Sequence, residues 1–351
     1  MFESCRAHFA MKTAARLLPA LAASLVVAGA AAKSTGEEPM SFAVRLGASG
    51  AAVYQTAGNR ARLLRLPDFR DITPQPLLFQ LDDVEFVSGR TGWVASADCT
   101  AGTGVISRTD DGGRTWRVLS RRFTHTCNAG ATLDLEFIDR QHGWLVWLEP
   151  TGPFAEIYRT ADGGRTWRML AKRHTEPKPA QIAFLSARRG WGVWAGPGSG
   201  YGPFLRSEDG GSRWTRDRRF PAARYAVPEF RGRRGVVVFA VRWSVFLRDS
   251  NDGGLTWRRR SRLRFGGPIR RVDLNVLTPD VWWITVDSGQ TTFVAVTADG
   301  GRTWTRSAIE LPGRSFRTVP TSVRRAWTSP RDGRLFATVD GGRTWRRVRV
   351  P

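Results

Sequence analysis

The chain has few of the residues that build metal and thiol sites. Its 351 residues include 3 cysteines, 4 histidines and 4 tyrosines, and no C-x-x-C or H-x-x-x-H spacing occurs among them. A metal site is therefore not expected, and we predict no cofactor. Cys5 lies near the N terminus, which leaves Cys99 and Cys127 in the body of the chain. Two cysteines in an exported chain suggest one disulfide.

Lysine and long apolar runs are also scarce. Lys12, Lys33, Lys172 and Lys178 are the only lysines, so arginine carries most of the net charge of +23. A genome that favours arginine codons would explain this surplus, and so would an anionic partner attracted at long range. The apolar run 17–32 is shorter than the ~20 residues of a membrane-spanning helix.

The N-terminal segment has the pattern of a secretory signal. Basic residues precede the apolar run, and the small residues Ala28, Ala30 and Ala32 end it. This pattern predicts a signal peptide at 1–32, followed by a short linker at 33–40. The protein is then exported to the periplasm or the exterior, or it stays anchored by an uncleaved N terminus. Exported proteins rarely meet nucleic acid, so none is expected as a partner, and we expect a monomer.

One phrase recurs through the rest of the chain. It reads "RTADGGRTWRML" at 159–170, with close copies at 108–119, 296–307 and 338–348 and looser ones at 206–217 and 249–260. Successive copies are 41 to 51 residues apart. A second landmark, Gly-Trp, ends at Trp93, Trp144 and Trp191, each 18 residues before the aspartate of its copy. A period of about 46 residues is typical of helical repeats or of propeller blades.

Composition favours the propeller. Each unit has a Gly-Gly pair and short alternating apolar runs rich in Trp and Val, without a long helical period. We therefore predict an all-β β-propeller over 41–351, made of four-stranded blades. About 319 residues follow the signal, which predicts seven blades at this period. The phrase is degenerate in the first, where "VYQTAGNRARLL" (53–64) resembles it and strand A is missing. Six blades plus an N-terminal hairpin is the alternative.

The repeated phrase resembles the Asp-box, or BNR repeat, of sialidases, sortilin-type receptors and some glucanases. The fuller pattern "GWV…RT-x-DGG-x-TW", over about 82–350, is most similar to the photosystem II stability/assembly factor-like propeller family. In that family the propeller binds a membrane-protein precursor and performs no chemistry. The resemblance therefore implies a non-catalytic binding or assembly scaffold.

The phrase itself predicts structure rather than catalysis. It joins the third and fourth strands, C and D, so its aspartate can accept amide hydrogen bonds within its own turn. Its tryptophan begins the outer strand and can be buried between blades. The residues assigned this structural role are Asp111, Trp116, Asp162, Trp167, Asp209, Trp214, Asp252, Trp257, Asp299, Trp304, Asp340 and Trp345.

The D–A loops, on the opposite face, combine arginine with aromatic residues. Such pairs suit planar anionic groups and protein partners. We predict binding of an envelope or membrane protein, or of an anionic glycan or lipid surface, there. The candidate residues are Arg121, Arg122, Arg173, Arg218, Arg219, Arg224, Arg260, Arg262, Arg264, Arg314 and Arg317, interleaved with Phe123, Phe220, Tyr225, Phe265 and Phe316.

Two further features follow from the propeller topology. Cys99 lies in a B–C loop and Cys127 in the next D–A loop, which emerge on the same face, so we predict a Cys99–Cys127 disulfide. Acidic residues recur before the A-strand aromatic position, at Glu85, Glu136 and Glu229, with Asp273 nearby. They would line the central channel or pair with arginines of adjacent blades.

The alternative function is a sialidase-like or other Asp-box glycoside hydrolase. The sialidase resemblance implies an arginine triad, a Tyr–Glu pair and an aromatic-Arg-Ile-Pro phrase, to which "LRLPDF" (64–69) is only loosely similar. Tyr54 and Tyr158 lie in predicted C strands, and Tyr201 and Tyr225 in loops without an evident glutamate. We therefore predict no catalytic residue, although paired carboxylates remain an open route to hydrolysis.

Overall fold

The computed structural model of the protein describes residues 40–47, 50–57, 60–74, 80–98, 101–124, 132–148, 155–170, 179–193, 201–289, 291–309, 315–330 and 334–350. The predicted signal peptide and nearly all of the predicted linker lie outside these ranges, as do Cys99 and Cys127. None of the described segments forms a helix able to cross a lipid bilayer.

The described strands form seven antiparallel sheets in chain order. The first sheet contains β1 (Met40–Gly47), β2 (Gly50–Ala57), β3 (Arg60–Arg65) and β4 (Arg70–Asp71). The second contains β5 (Gln80–Phe86), β6 (Gly92–Asp98), β7 (Thr103–Thr109) and β8 (Arg117–Thr124). The third contains β9 (Thr132–Phe137), β10 (Gly143–Leu148), β11 (Ala155–Thr160) and β12 (Arg168–Met169).

The remaining four sheets repeat this order. The fourth contains β13 (Gln181–Phe184), β14 (Gly190–Val193), β15 (Phe204–Ser207) and β16 (Thr215–Arg216). The fifth contains β17 (Arg224–Tyr225), β18 (Glu229–Arg231), β19 (Arg234–Val241), β20 (Ser244–Ser250) and β21 (Arg258–Arg264). The sixth contains β22 (Arg271–Val276), β23 (Trp282–Asp287), β24 (Thr292–Thr297) and β25 (Thr305–Ile309). The seventh contains β26 (Ser315–Pro320), β27 (Ala326–Pro330), β28 (Leu335–Thr338) and β29 (Arg346–Val348).

The prediction of an all-β propeller with four-stranded blades is confirmed. Six sheets carry the Asp-Gly-Gly phrase between their third and fourth strands, as the repeat spacing predicts. In the fifth sheet the inner strand is divided into β17 and β18, which both pair with β19.

The first sheet differs from its prediction. Its first strand, β1, is present. "TAGN" (56–59) begins at the end of β2 and leads into β3, rather than joining the third and fourth strands. The position of the Asp-Gly-Gly turn is taken by Leu66–Phe69, between β3 and β4. The sequence comparison therefore assigned this hairpin to the wrong pair of strands, one strand too late in the sheet. A single Gly-containing hairpin has the same sequence pattern whichever two strands it joins.

Neighbouring sheets are joined by an aromatic stack. Trp144 of β10 lies flat on Phe184 of the next sheet, with ring centroids 3.6 Å apart and planes at 4°. Phe184 in turn meets the edge of Trp214, the tryptophan of its own Asp-Gly-Gly phrase. The indole Nε1 of Trp144 donates to the Gly210 carbonyl at 2.9 Å. Trp93 repeats the arrangement, stacking on Phe137 and donating to Gly163.

An arginine covers the outer side of each stack. The Arg108 guanidinium lies over the Trp93 ring, 5.1 Å from its centroid, and donates to the Arg140 carbonyl of the next sheet. A side chain at Gly163 would collide with this guanidinium, so the glycine is needed for space as well as for its left-handed backbone. Part of the arginine surplus is therefore used in packing.

Substitution of the stacked tryptophan should destabilise the protein more than substitution of the phrase tryptophan. Trp144 is fully buried, whereas Trp167 is half-buried. Trp144→Ala is expected to lower the free energy of unfolding by ~3–5 kcal/mol, and Trp167→Ala by about half as much, in proportion to the buried area. Urea unfolding followed by circular dichroism measures both, and equal losses would contradict the assigned order.

Candidate functional site

Each sheet presents two ends with different turns. In the third sheet, Gly143 of β10 faces Phe137 on one side and Thr160 on the other. The first turn of the sheet and its Asp-Gly-Gly turn therefore lie at the same end, which we call the turn end. The second-to-third strand connections and the links between sheets lie at the opposite end, the loop end.

The aspartates at the turn end bond within their own turns. Asp162 accepts hydrogen bonds from the Thr166 amide at 2.9 Å, the Thr166 hydroxyl at 2.6 Å and the Thr160 hydroxyl at 2.8 Å. At Asp111, bonds from the Thr115 hydroxyl and amide hold the pKa of the carboxyl well below its ordinary value. The same hydrogen bonds recur at Asp252, Asp299 and Asp340. Asp209 accepts from the Ser207 hydroxyl and from the Arg213 amide. These carboxylates are fixed anions within hairpins.

The phrase tryptophans are less buried than the Gly-Trp tryptophans. Trp214 is buried, while Trp116, Trp167, Trp257, Trp304 and Trp345 are partly exposed at the outer side of the sheets. Trp116 donates to the Ile72 carbonyl of the preceding sheet at 2.7 Å. They pack the sheets together and present no common surface.

The predicted arginine face is only partly assembled. Arg219 bonds to the buried Asp217, and Arg260 donates to the Gly300 carbonyl of the next sheet at 2.7 Å. Arg121 and Arg218 are exposed. Arg173 and Arg314 lie outside the described residues, and only the backbone is described for Arg122 and Arg317.

The aromatic residues expected to alternate with these arginines are mostly core residues. Phe123, Phe220 and Phe265 are buried, and Tyr225 is half-buried. Strands β8 and β21 run on through part of the predicted loops, and Phe220 packs against Phe204 and Trp257. Their rings are therefore turned between sheets.

An exposed tryptophan stands at the loop end of the fifth sheet. Arg242 and Trp243 form a two-residue turn between β19 and β20, closed by the Val241–Ser244 pair. Arg242 has a left-handed backbone, with φ of 53°. The Trp243 side chain is 60% exposed, which is unusual for a residue type that normally buries its ring.

The Trp243 turn is held by hydrogen bonds from three directions. The Arg242 amide donates to the Tyr201 hydroxyl of the fourth sheet at 3.1 Å. The Phe265 amide donates to the Trp243 carbonyl and the Ile269 amide to the Arg242 carbonyl, both at 2.9 Å. The tryptophan is thus presented on a backbone that is fixed before any partner arrives, which reduces the entropic cost of binding.

Predicted arginines surround this turn. Arg224 lies over the Tyr201 ring, 4.6 Å from its centroid. Arg262 donates to the Ser244 hydroxyl at 3.0 Å, and Arg264 is the cross-strand partner of Ser244. These arginines and the exposed Arg242 border the exposed indole of Trp243. An exposed indole beside guanidinium groups can make apolar, cation–π and charge-assisted contacts.

Trp243 is not among the binding residues predicted from the sequence. The feature of the sequence that points to Trp243 is the dipeptide Arg-Trp between two apolar runs, "RGVVVFAV" and "SVFLRDS". Small turn residues are usual at such a position. A large aromatic residue at a hairpin tip has no local structural reason.

The carboxylates of the inner strands join one sheet to the next. Glu136 accepts the Phe184 amide at 3.1 Å, and Glu229 accepts the Val276 amide at 2.7 Å. Burial, together with the nearby negative charges of Glu229 and Asp83, raises the pKa of Glu136 to about 8. Arg271 pairs with Asp273 along one strand. The two glutamates therefore act largely as inter-sheet acceptors.

The features implied by a sialidase are differently arranged. Arg65, in "LRLPDF", lies over the Phe86 ring and donates to the Gly89 carbonyl, the same packing role as Arg108. Tyr158 does donate to Glu156, at 2.5 Å. Burial and this glutamate raise the pKa of the Tyr158 phenol, whereas a nucleophile needs activation in the opposite direction.

No family model matches the chain, and no curated protein does either. Solved structures with a similar fold include YCF48 bound to D1 peptide, at 20% identity and a TM-score of 0.51, covering 76% of this chain and 82% of that chain. YCF48 from Cyanidioschyzon merolae is 16% identical with a TM-score of 0.51, covering 77% and 84%. The resemblance to the assembly-factor propellers is thus confirmed for the fold.

An enzyme shares the same fold. The GH74 xyloglucanase from Xanthomonas campestris is 14% identical with a TM-score of 0.54, and the match covers 89% of this chain and 54% of that chain. Identities this low show common architecture alone, so the fold is compatible with a binding protein and with a hydrolase.

Neutralisation of Glu136 should change the pH dependence of stability. Native Glu136 keeps its proton up to about pH 8, whereas the unfolded chain releases it near 4.5, so rising pH between these values lowers stability. Glu136→Gln stays neutral and retains an acceptor for Phe184. We expect the variant to be more stable than the natural protein at pH 8.5, with the difference shrinking towards pH 5.

Urea unfolding midpoints measured from pH 5 to 8.5 test this expectation. Glu208→Gln is the matched control, because Glu208 is an exposed glutamate at the turn end. A difference between Glu136→Gln and the natural protein that does not vary with pH would show that Glu136 titrates normally.

Proposed function

We propose that this protein is an exported, non-catalytic scaffold that docks a segment of an envelope or membrane protein at its loop end. The observation that carries the proposal is Trp243, a 60% exposed indole on a turn fixed by three hydrogen bonds. Tryptophan and arginine dominate the binding energy of protein interfaces, and lysine does not. Arg224, Arg242, Arg262 and Arg264 give the site a preference for acidic segments.

The comparison with YCF48 supports this kind of partner. One solved structure of this fold is YCF48 bound to D1 peptide, and this supports a protein segment as the ligand. We extend that role here by analogy of fold only, and the residues that we assign to it are this chain's own.

We also propose that the first sheet is a seventh blade. Strand β1 lies against β5 on one side and against β26 and β27 on the other, so it occupies the gap between the second and seventh sheets. Arg65 repeats there the contacts that Arg108 makes one sheet later. Six blades with the Asp-Gly-Gly turn and one without it then close the ring.

A photo-crosslinking amino acid at position 243 tests the docking site. With p-benzoylphenylalanine at Trp243, illumination of cells should give a discrete adduct with one envelope protein. The same amino acid at Met169, an exposed apolar side chain on the outer strand β12, is the control. Adducts that are absent at 243, or identical at both positions, would refute the proposal.

Once the adduct identifies the partner segment, Trp243→Ala should weaken its binding about 30-fold, as for a hot-spot residue of ~2 kcal/mol. The free energy of unfolding measured with urea should stay the same within about 0.5 kcal/mol, because the ring is mostly exposed. Calorimetry at 50 and 300 mM salt should also show weaker binding at high salt. Binding that is insensitive to both changes would place the partner elsewhere.

A glycoside hydrolase is the second candidate. The fold is shared with a xyloglucanase, and Tyr158 and Glu156 form a hydrogen-bonded pair. Because the pKa of Tyr158 is raised, we expect no turnover of fluorogenic glycosides, including xyloglucan oligomers and sialosides, between pH 4 and 8. Turnover that is lost in Tyr158→Phe would reverse this assignment.

A further inference from the structure

The turn end of the propeller has an organised set of arginines. In each of the six sheets the first glycine of the Asp-Gly-Gly turn donates its amide to a carbonyl of the neighbouring first turn, at 2.7 to 2.9 Å. For Gly112, Gly210, Gly253 and Gly341, the residue whose carbonyl accepts is itself an arginine. The two turns are therefore tied together, and their side chains project from one rigid surface.

Every one of these six sheets contributes exposed arginine to this surface. The exposed arginines are Arg90, Arg114, Arg140, Arg165, Arg188, Arg213, Arg233, Arg302, Arg324, Arg325 and Arg343. These six sheets follow one another around the propeller, so the cations recur on six successive sheets rather than on one side of the turn end.

Carboxylates at this end neutralise only part of this positive charge. The six phrase aspartates are bonded within their turns, as described for Asp162. Asp110 pairs with Arg108 and Arg140, Asp139 bonds to His142, Glu208 to Arg189 and Arg206, and Asp280 to Arg234. Apart from Arg140, these partners are outside the exposed set, and the arginines named at this end outnumber the carboxylates, so the surface keeps a net positive charge.

Two exposed apolar side chains lie among these arginines. Leu255 is 45% exposed and stands where Arg114, Arg165, Arg302 and Arg343 stand in the other phrases. Val339 is 62% exposed in the seventh sheet. Between the third sheet's two turns, Arg108, Arg140 and Arg165 border an open depression of about 670 Å³.

We propose that the turn end docks on a lipid bilayer with anionic headgroups. Arginines that recur from sheet to sheet match a layer of phosphates, to which guanidinium groups can bond in a bidentate manner. Leu255 and Val339 supply the apolar contact that distinguishes a bilayer from a soluble polyanion. This surface is independent of Trp243, which lies at the opposite end and stays open to a protein partner.

Vesicle co-sedimentation tests the proposal. The full chain should bind vesicles of 30% phosphatidylglycerol in phosphatidylcholine at 50 mM salt, and much less at 500 mM salt. The combined variant Arg90→Glu, Arg188→Glu and Arg233→Glu should bind at least about 100-fold more weakly, at roughly a factor of five for each positive charge lost. Equal binding to pure phosphatidylcholine would overturn the proposal.

The matched control is Arg121→Glu, Arg218→Glu and Arg259→Glu, which makes the same change in net charge at exposed arginines on the outer strand or near the loop end. It should retain vesicle binding within about threefold. If it loses as much as the turn-end variant, net charge rather than this surface drives binding. Unchanged circular dichroism and urea midpoints for both variants show that folding is intact.

The apolar residues separate a bilayer from a soluble polyanion. Leu255→Ser with Val339→Ser should weaken vesicle binding about tenfold and leave binding to heparin unchanged. If this variant binds vesicles and heparin as tightly as the natural protein does, and heparin binding is as tight as vesicle binding, the surface binds a soluble polyanion and the membrane proposal is refuted. Photo-crosslinking at position 243 reports separately on the protein partner, so the two proposals can fail independently.

Discussion

The fold depends on an indole that reaches from one sheet into the next. Trp144 lies flat on Phe184 and donates to the Gly210 carbonyl, so one side chain sets both the separation of two sheets and their relative height. An apolar stack fixes distance but allows sliding, whereas the hydrogen bond to a turn carbonyl removes that freedom. The Asp-Gly-Gly turn is thus the docking point for its neighbour as well as a hairpin.

This contact explains the composition of the repeated phrase. In the third, fourth and sixth sheets the first glycine leaves space for the preceding sheet's arginine, and it takes a left-handed backbone in every copy. The aspartate closes the turn, which keeps the carbonyl aimed at the incoming indole. Where the joint is less regular, between the fourth and fifth sheets, Trp191 stacks on Phe230 at 4.6 Å and 29°. That irregular fifth sheet also carries the exposed Trp243.

The two ends of the ring differ in how they are built. At the turn end, repeated hydrogen bonds produce near-identical turns, so small side-chain differences such as Leu255 in place of arginine stand out. At the loop end, the Trp243 turn is held by Tyr201 and by the segment after β21, contacts that occur once. A repeated surface suits a repetitive partner such as a layer of headgroups, while a singular one suits a specific segment.

The sequence by itself determined the strand order, the four-stranded unit and the six Asp-Gly-Gly turns, because those features depend on local turn chemistry and on a period that repeats in register. It also led to Arg224, Arg262 and Arg264, although among residues that proved to be packed elsewhere. Only the tertiary structure decided that Phe123, Phe220 and Phe265 are core residues, that Glu136 joins neighbouring sheets, and that Trp243 is exposed. Burial depends on what a neighbouring sheet places against a side chain, and that neighbour is about 46 residues away in the chain. The same residue type, arginine or tryptophan, therefore packs between sheets at one position and is exposed to solvent at another.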